Sequence, residues 1–339
     1  MLTKRLASLS CAALLAGAVF GVTAAAASAA SLSGAGSTLV APIEAEWATA
    51  FGNRTGNTVN YQAVGSGTGI KDVSSRLVDF GASDAPLSAA QASSCGGCIQ
   101  IPWALSATGV GFHINGLRKL HLTGAVIAEI YLGQITHWND RRITSLNRGV
   151  RLPNLRITPF HRHDGSGDTY AFTDYESRVS GSFKRSVGAG TSVGWPTQAA
   201  AQGNSGMVTA LEGTNGSIAY VAVSYLIAHQ LPAVAIKNAA GNYEYPNLNN
   251  IENAARTVKH VPSSDELHIV NPPRSASIAY PISTFTYVIV PRNAPQASTL
   301  KSWITFALGS GQSFGPGLDF APIPRVVLNA GQAALRNVR

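Results

Sequence analysis

VNYQAVGSGTGIKDV (59–73) reads as a strand, a glycine-rich turn and a helix in immediate succession. Val59–Val64 places β-branched and aromatic residues in near-alternation, as a half-buried strand does. Gly65-Ser66-Gly67-Thr68-Gly69 punctuates it as a turn. Gly69–Leu77 has helical spacing, and Val78–Ala82 is a short apolar run of the kind found in buried strands. The same alternation continues in both directions. Thr108–Ile114, Leu155–Phe160, Ser217–Val221 and Thr284–Val290 (TFTYVIV) read as strands. Ile43–Phe51, Gly124–Leu132, Thr169–Arg178 and Leu300–Leu308 read as helices, and the proline-containing stretches 231–247 and 261–281 as irregular connections. Strand–helix alternation with apolar strands predicts an α/β fold with largely buried sheets.

The chain has 339 residues, 45% hydrophobic and only 12% charged. That composition supports a sizeable core and excludes wholesale disorder, and the length favours two domains. Its 34 glycines follow no collagen period. The formal net charge is +8. The basic residues are scattered, Arg118-Lys119 and Arg141-Arg142 being the densest groups, and no basic stripe with interleaved aromatics appears. Nucleic acid is therefore not an expected partner, whereas steering of small anions is.

The N-terminus has the form of a secretory signal over residues 1–29: Lys4 and Arg5, an alanine-rich apolar run from Cys11 to Ala27, and an A-x-A site at Ala27-Ser28-Ala29. A transmembrane anchor is the alternative, disfavoured by the short run of small residues. Cys11 precedes the apolar core rather than following it, so no lipid anchor is expected. An exported protein, periplasmic or secreted, results. Cys95-Gly-Gly-Cys98 then has three readings: a redox pair, half a zinc site, or a local disulfide. Export and the lack of a second ligand pair favour the disulfide. No metal site is expected.

Four glycine-containing turns carry the functional signal: Gly34–Leu39, Gly65–Gly69, Gly81–Pro86 and Asp164–Asp168. Three run directly into an expected helix. A helix N-terminus presents free N–H groups and a positive dipole end, glycine lets that backbone approach a ligand, and Ser or Thr adds hydroxyl donors. Arg162 lies two residues before Asp164 and supplies a planar charged fork. These parts suit a tetrahedral oxyanion. Each turn alone is also an ordinary N-cap or connector, and neither the dinucleotide fingerprint nor a phosphate loop of the G-K-[ST] type is present.

In SLSGAGSTLVAP (31–42), VNYQAVGSGTGIKDV (59–73), VDFGASDAPLS (78–88), IYLGQITHWND (130–140), RHDGSGDTYAFTDY (162–175), GNSGM (203–207), GSIAYV (216–221), YPIST (280–284) and LDFAPIP (318–324) the chain resembles the phosphate-binding component of ABC-type phosphate importers. DFGASDAPLS and DGSG are its most specific motifs, and 228–275 matches least. The resemblance implies two α/β domains of the periplasmic-binding-protein kind, joined by hinge strands around a ligand cleft. One domain would hold about 31–110 with 285–339, the other 111–284. It implies inorganic phosphate as ligand, the permease and ATPase of an importer as partners, no cofactor and no catalytic residues. Thr38, Leu39 and Ser66 match donor positions, although the family commonly carries an aromatic at Leu39. Asp84 matches the aspartate that accepts a hydrogen bond from protonated phosphate, Arg162 the arginine, and Asp164 the carboxylate that braces it. Ser166 and Gly167 match the last donors. Asp168 departs, because the family usually has threonine there. Its side chain either turns outward at the helix start or faces the ligand beside Asp84, and the inward pose is favoured by the family position.

Asp84 also has a reading of its own. A carboxylate facing an oxyanion repels it unless the ligand brings a proton, so the position favours hydrogen phosphate over sulfate. The rival function is a secreted phosphatase using Ser66 or Ser166 with His161 or His163. Neither serine lies in G-x-S-x-G, and the histidines read as structural or surface groups. An extracellular phosphate scavenger or attachment protein on the same fold is a third reading. Trp103, Trp138, Trp195 and Trp303 are expected to pack in cores or on helix faces.

Overall fold

A computed structural model describes residues 29–339. Nearly all of the expected signal, with Cys11, lies outside the described residues. The strands are β1 (Ser31–Gly36), β2 (Thr58–Gln62), β3 (Phe80–Ser83), β4 (Cys98–His113), β5 (His121–Thr123), β6 (Thr158–Arg162), β7 (Ala200–Ala201), β8 (Ser217–Ala222), β9 (Ala235–Lys237), β10 (Tyr243–Glu244) and β11 (Ser283–Pro291). Eight of them form one sheet in the order β2-β1-β3-β11-β4-β8-β6-β7, and β10-β9-β5 form a second. The outer pairs β1–β2, β1–β3, β8–β6 and β6–β7 are parallel, as helix crossovers dictate. The middle of the sheet is antiparallel, where β11 pairs with β3 and β4, and β4 with β8.

β4 is the longest strand, with 16 residues, and pairs through Cys98–Ala107 with β11 and through Thr108–His113 with β8. Sequence reading found only its second half. Pro102 is the reason: proline lacks a ladder donor and argues against a central strand. Here its position is tolerated because the β4–β11 register shifts beside it, between Thr286 and Tyr287.

Two hydrophobic clusters flank the middle strands. One gathers Leu32, Trp47, Phe51, Phe80, Trp103 and Trp303, with the Trp47 and Trp103 rings edge to face at 5.2 Å. The other gathers Phe112, Ile127, Tyr131, Phe172, Tyr220 and Tyr280. β4 sends Ile99, Ile101 and Trp103 into the first and Leu105, Val110 and Phe112 into the second, and β11 likewise divides Val288 and Val290 from Phe285 and Tyr287. A buried tryptophan contributes several kcal/mol of apolar burial, roughly 25 cal/mol per Å², so each cluster is a core in its own right. Trp103, Trp138 and Trp303 are fully buried. Trp195 is half-buried and stacks on His161 at 5.2 Å.

Most expected elements appear within a few residues of their sequence bounds. The helix expected at Gly69–Leu77 runs instead over Ser66–Ser74. Gly65 starts it with φ of 94°, a conformation that favours glycine. Gly69 is therefore inside the helix, where a Cβ would lie 2.5 Å from the Ala35 carbonyl oxygen of β1. The stretch 231–247 is not wholly irregular, because β9 and β10 lie in it and β9 extends β5 in parallel. Cys95, which ends the Ala89–Ser94 helix, and Cys98, which opens β4, are joined by a disulfide.

Candidate functional site

Four helix N-termini converge beside the middle of the large sheet. The Ala41–Thr55 helix follows β1 through Ser37–Val40, the Ser66–Ser74 helix follows β2, the Gly167–Val179 helix follows β6, and the Gly203–Gly213 helix follows β7. Ser37 sets the first: its hydroxyl oxygen accepts the Leu39 N–H at 3.0 Å and the Val40 N–H at 3.3 Å. Ser166 is the N-cap of the third, accepting the Thr169 N–H at 3.3 Å. Ser37, Thr38, Ser66, Asp84, Arg162, Ser166, Asp168 and Asn204 are all buried.

Asp84 follows directly on β3. Its Oδ1 lies 2.6 Å from the Ser37 hydroxyl and accepts from Thr286 of β11 at 2.8 Å. Its Oδ2 lies 2.7 Å from Ser37 and 3.4 Å from Ser66. Burial first, and then the Asp168 charge, raise its pKa to about 7, against the hydroxyl hydrogen bonds and Arg162, which lower it.

Arg162 ends β6 and is 3% exposed, too little for water to solvate its charge. Its Nε donates to Asp164 Oδ1 at 2.7 Å, and a second nitrogen donates to Asp164 Oδ2, a two-pronged brace. Its remaining terminal nitrogen faces Asp168 Oδ2 at 3.3 Å. Burial works against the guanidinium charge, but the Asp164 hydrogen bond and the two carboxylates outweigh it and push the Arg162 pKa up. Burial also opposes ionisation of Asp164, yet Arg162 holds it below the usual carboxylate range. Asp168 is turned inward. Its Oδ1 accepts from Thr108 of β4 at 2.8 Å and its Oδ2 from the Asn204 amide at 2.8 Å. Burial dominates there and raises the Asp168 pKa although Arg162 lowers it.

Hydrogen bonds cross directly between the turns that follow β1 and β2 and those that follow β6 and β7. Gly67 N–H donates to the Gly165 carbonyl at 2.9 Å, and Gly167 N–H to the Ser66 hydroxyl at 3.1 Å. Thr38 Oγ1 accepts from the Asn204 side chain at 2.8 Å. The approach is so close that a Cβ on Gly167 would meet the backbone nitrogen of Asp84 at 2.7 Å. Glycine is required there by space, not by φ.

One arginine and three carboxylates, Asp84, Asp164 and Asp168, carry the formal charge of this site. Four helix N-termini and the hydroxyls of Ser37, Thr38, Ser66 and Ser166 add neutral donors. A fully ionised set of carboxylates would repel an anion. With its pKa near 7, Asp84 is the carboxylate placed to hold a proton or to accept one from a ligand. The arrangement suits an oxyanion that carries an ionisable hydrogen.

The pattern of the PBP superfamily domain matches residues 21–310. The phosphate-binding protein PstS of Xylella fastidiosa is 34% identical over 298 residues, which cover 86% of this chain and 81% of that protein. The chain belongs to the phosphate-binding-protein family of the PBP superfamily. A second relative in this family, PstS of Haemophilus influenzae, is 34% identical over 305 residues, covering 88% of this chain and 90% of that one. The fold is shared with the phosphate-binding protein of Stenotrophomonas maltophilia, at a TM-score of 0.72 and 18% identity over 89% of this chain and 93% of that one. It is also shared with a phosphate ABC transporter substrate-binding protein from Clostridium perfringens, at a TM-score of 0.63 and 20% identity over 87% and 100% of the two chains.

All the candidate ligand residues named from sequence lie in this one region, with Asp164 at its edge. Several are already engaged by the protein. The Leu39 N–H goes to Ser37, the Gly167 N–H to Ser66, and the Ser166 N–H to the Thr191 carbonyl at 2.8 Å. Sequence reading missed Ser37, Thr108, Asn204 and Thr286. Ser37 lies in SLSGAGSTLVAP beside Thr38, and Asn204 in GNSGM, so both had a sequence signal. Thr108 and Thr286 carry no local signal, because they are ordinary strand residues until β4 and β11 cross the site. His161 and His163 are not aimed at either serine. His161 stacks on Trp195 with its ring nitrogens 3.1 Å from the Arg162 and Thr197 carbonyls, and His163 is exposed.

Proposed function

We propose that this chain binds inorganic phosphate and delivers it to the membrane permease and ATPase of an ABC importer. The observation that carries the reading is Asp84. It is a buried carboxylate among hydroxyl donors, close enough to Arg162 and Asp168 to feel both charges, and its pKa lies near the second ionisation of phosphate. Such a carboxylate accepts the proton of hydrogen phosphate and repels fully ionised sulfate. The names of the PstS relatives agree with that ligand.

The ligand contacts in this reading are Thr38, Leu39, Ser66, Asp84, Arg162, Ser166, Gly167 and Asp168, with Asp164 bracing the arginine. The chain divides into a lobe of 31–110 with 285–339 and a lobe of 111–284. β4 and β11, which pass from one hydrophobic cluster to the other, serve as the hinge. The protein works outside the cytoplasm without a lipid anchor. Among the described residues no helix is long and apolar enough to cross a membrane.

Binding without turnover fits the hydroxyl chemistry. The Ser66 oxygen accepts the N–H groups of Gly167 and Asp84, at 3.1 and 3.3 Å, and Ser166 caps a helix. Neither serine meets a histidine base of the kind nucleophilic catalysis needs. Calorimetric titration with phosphate, arsenate and sulfate tests the proposal. Tight phosphate and arsenate binding with weak sulfate binding is expected. Absence of phosphate binding, or steady release of phosphate from a monoester by the pure protein, would overturn it.

A further inference from the structure

We infer that Asn204 is a positioning residue that turns the Thr38 hydroxyl into a dedicated donor for the bound anion, and does so only when the two lobes are together. The inference rests on the phosphate reading and on the lobe division proposed above.

Asn204 is fully buried in the first turn of the Gly203–Gly213 helix. Its side-chain Oδ1 accepts the Ala222 N–H at 2.8 Å. That backbone donor fixes which way the amide faces, since the flipped amide would set N–H against N–H. The amide nitrogen then has two hydrogens to place. One goes to Thr38 Oγ1 at 2.8 Å and the other to Asp168 Oδ2 at 2.8 Å. The Asn204 backbone N–H also points at Thr38 Oγ1, at 3.3 Å. The side-chain amide is thus fully used, with no freedom left to rearrange.

The consequence falls on Thr38. A hydroxyl has two acceptor lone pairs and one hydrogen. Asn204 fills both lone pairs, so the Thr38 O–H can act only as a donor. Its neighbour Ser37 is committed to Asp84, and Thr38 itself is buried. A threonine free to rotate would spend part of its time as an acceptor, which an oxyanion repels. Fixing its single hydrogen ahead of binding removes that cost and is the kind of support that holds a site in its productive geometry. Thr38 stands at the start of the helix that follows β1, whereas Asn204 is anchored to β8 and to Asp168. Separation of the lobes would break the contact and release the hydroxyl.

A double-mutant cycle tests this, with calorimetric phosphate titration of the unaltered protein, N204A, T38V and the double variant, and phosphate dissociation rates by stopped flow. Each single change is expected to weaken binding by about 10–50-fold, and the double variant to fall within about threefold of the weaker single one, because both remove the same donor. The loss should appear in the dissociation rate. If N204A does not fold, N204S, which is too short to reach both partners, takes its place. Losses that multiply in the double variant, or an Asn204 variant that binds like the unaltered protein, would overturn the positioning role and leave the phosphate reading standing. No phosphate binding by the unaltered protein would overturn both.

Discussion

The backbone N–H of Gly67 donates to the carbonyl of Gly165 at 2.9 Å, so the turn after β2 and the turn after β6 touch without a side chain between them. A Cβ on either glycine would stand 3.0 Å from the Cα of the other. Backbone cannot yield as a flexible side chain does. G165A is therefore expected to hinder closure and weaken phosphate binding by about tenfold or more, while leaving ligand-free stability nearly unchanged, because the proposed hinge opening would separate the two turns and make room for the methyl. Titration calorimetry and a thermal melt without phosphate check the two halves of this expectation.

Among the described residues, Arg162 is the sole positive side chain facing Asp164 and Asp168 at hydrogen-bond distance. R162A removes the charged donor and leaves two carboxylates near one another. Phosphate affinity is expected to fall by roughly 2–5 kcal/mol, with a lower melting temperature of the ligand-free protein. A variant that binds phosphate with unchanged affinity would move the site away from the 162–168 turn.

If Asp84 rejects sulfate as proposed, that rejection is pH-dependent. Its pKa of about 7 means that a growing share is protonated as the pH falls from 8 to 6. A protonated carboxyl donates a hydrogen bond to sulfate, and an ionised one repels it. Sulfate affinity should therefore rise as the pH falls through that window. D84N, which keeps a donor at every pH, should bind sulfate more tightly at pH 8 by about 1–3 kcal/mol and with a flat profile. Sulfate titrations of the two proteins across the window decide it.

Glu44 sits in the first turn of the Ala41–Thr55 helix, is 2% exposed, and has a buried Oε1 without a hydrogen-bond partner. Burial raises its pKa from 4.5 to about 8. The native state therefore holds a proton that the unfolded chain releases above pH 4.5. Stability falls as the pH rises between those values and levels off above about 8. E44Q should flatten that slope and stabilise the protein at pH 8 by roughly 3–5 kcal/mol at most. Denaturant unfolding at pH 5 and 8 measures it.

Much of the fold was legible because its signals are local. Strand β11 reads as TFTYVIV, the Gly167–Val179 helix opens on an N-cap serine, and three of the four glycine turns lie where a strand hands over to a helix. The first half of β4 was hidden because Pro102 contradicts a strand locally, and only the register shift opposite it accommodates the ring. β9 and β10 escaped notice because strands of two or three residues carry too few side chains to show a period.

The chain by itself determined which residue types make up the proposed anion site: glycine turns, hydroxyls, Arg162 and the Asp84 motif. These depend on side-chain chemistry and short-range backbone geometry. Only the tertiary structure decided how they share their hydrogens. Thr286 comes to Asp84 across 202 positions and Thr108 to Asp168 across 60, because β11 and β4 cross between the cores. Asn204 reaches Thr38 across 166 positions, and whether the Thr38 hydroxyl donates or accepts is settled by that contact. A hydrogen-bond direction belongs to a pair of groups, and no reading of one residue type in isolation contains it.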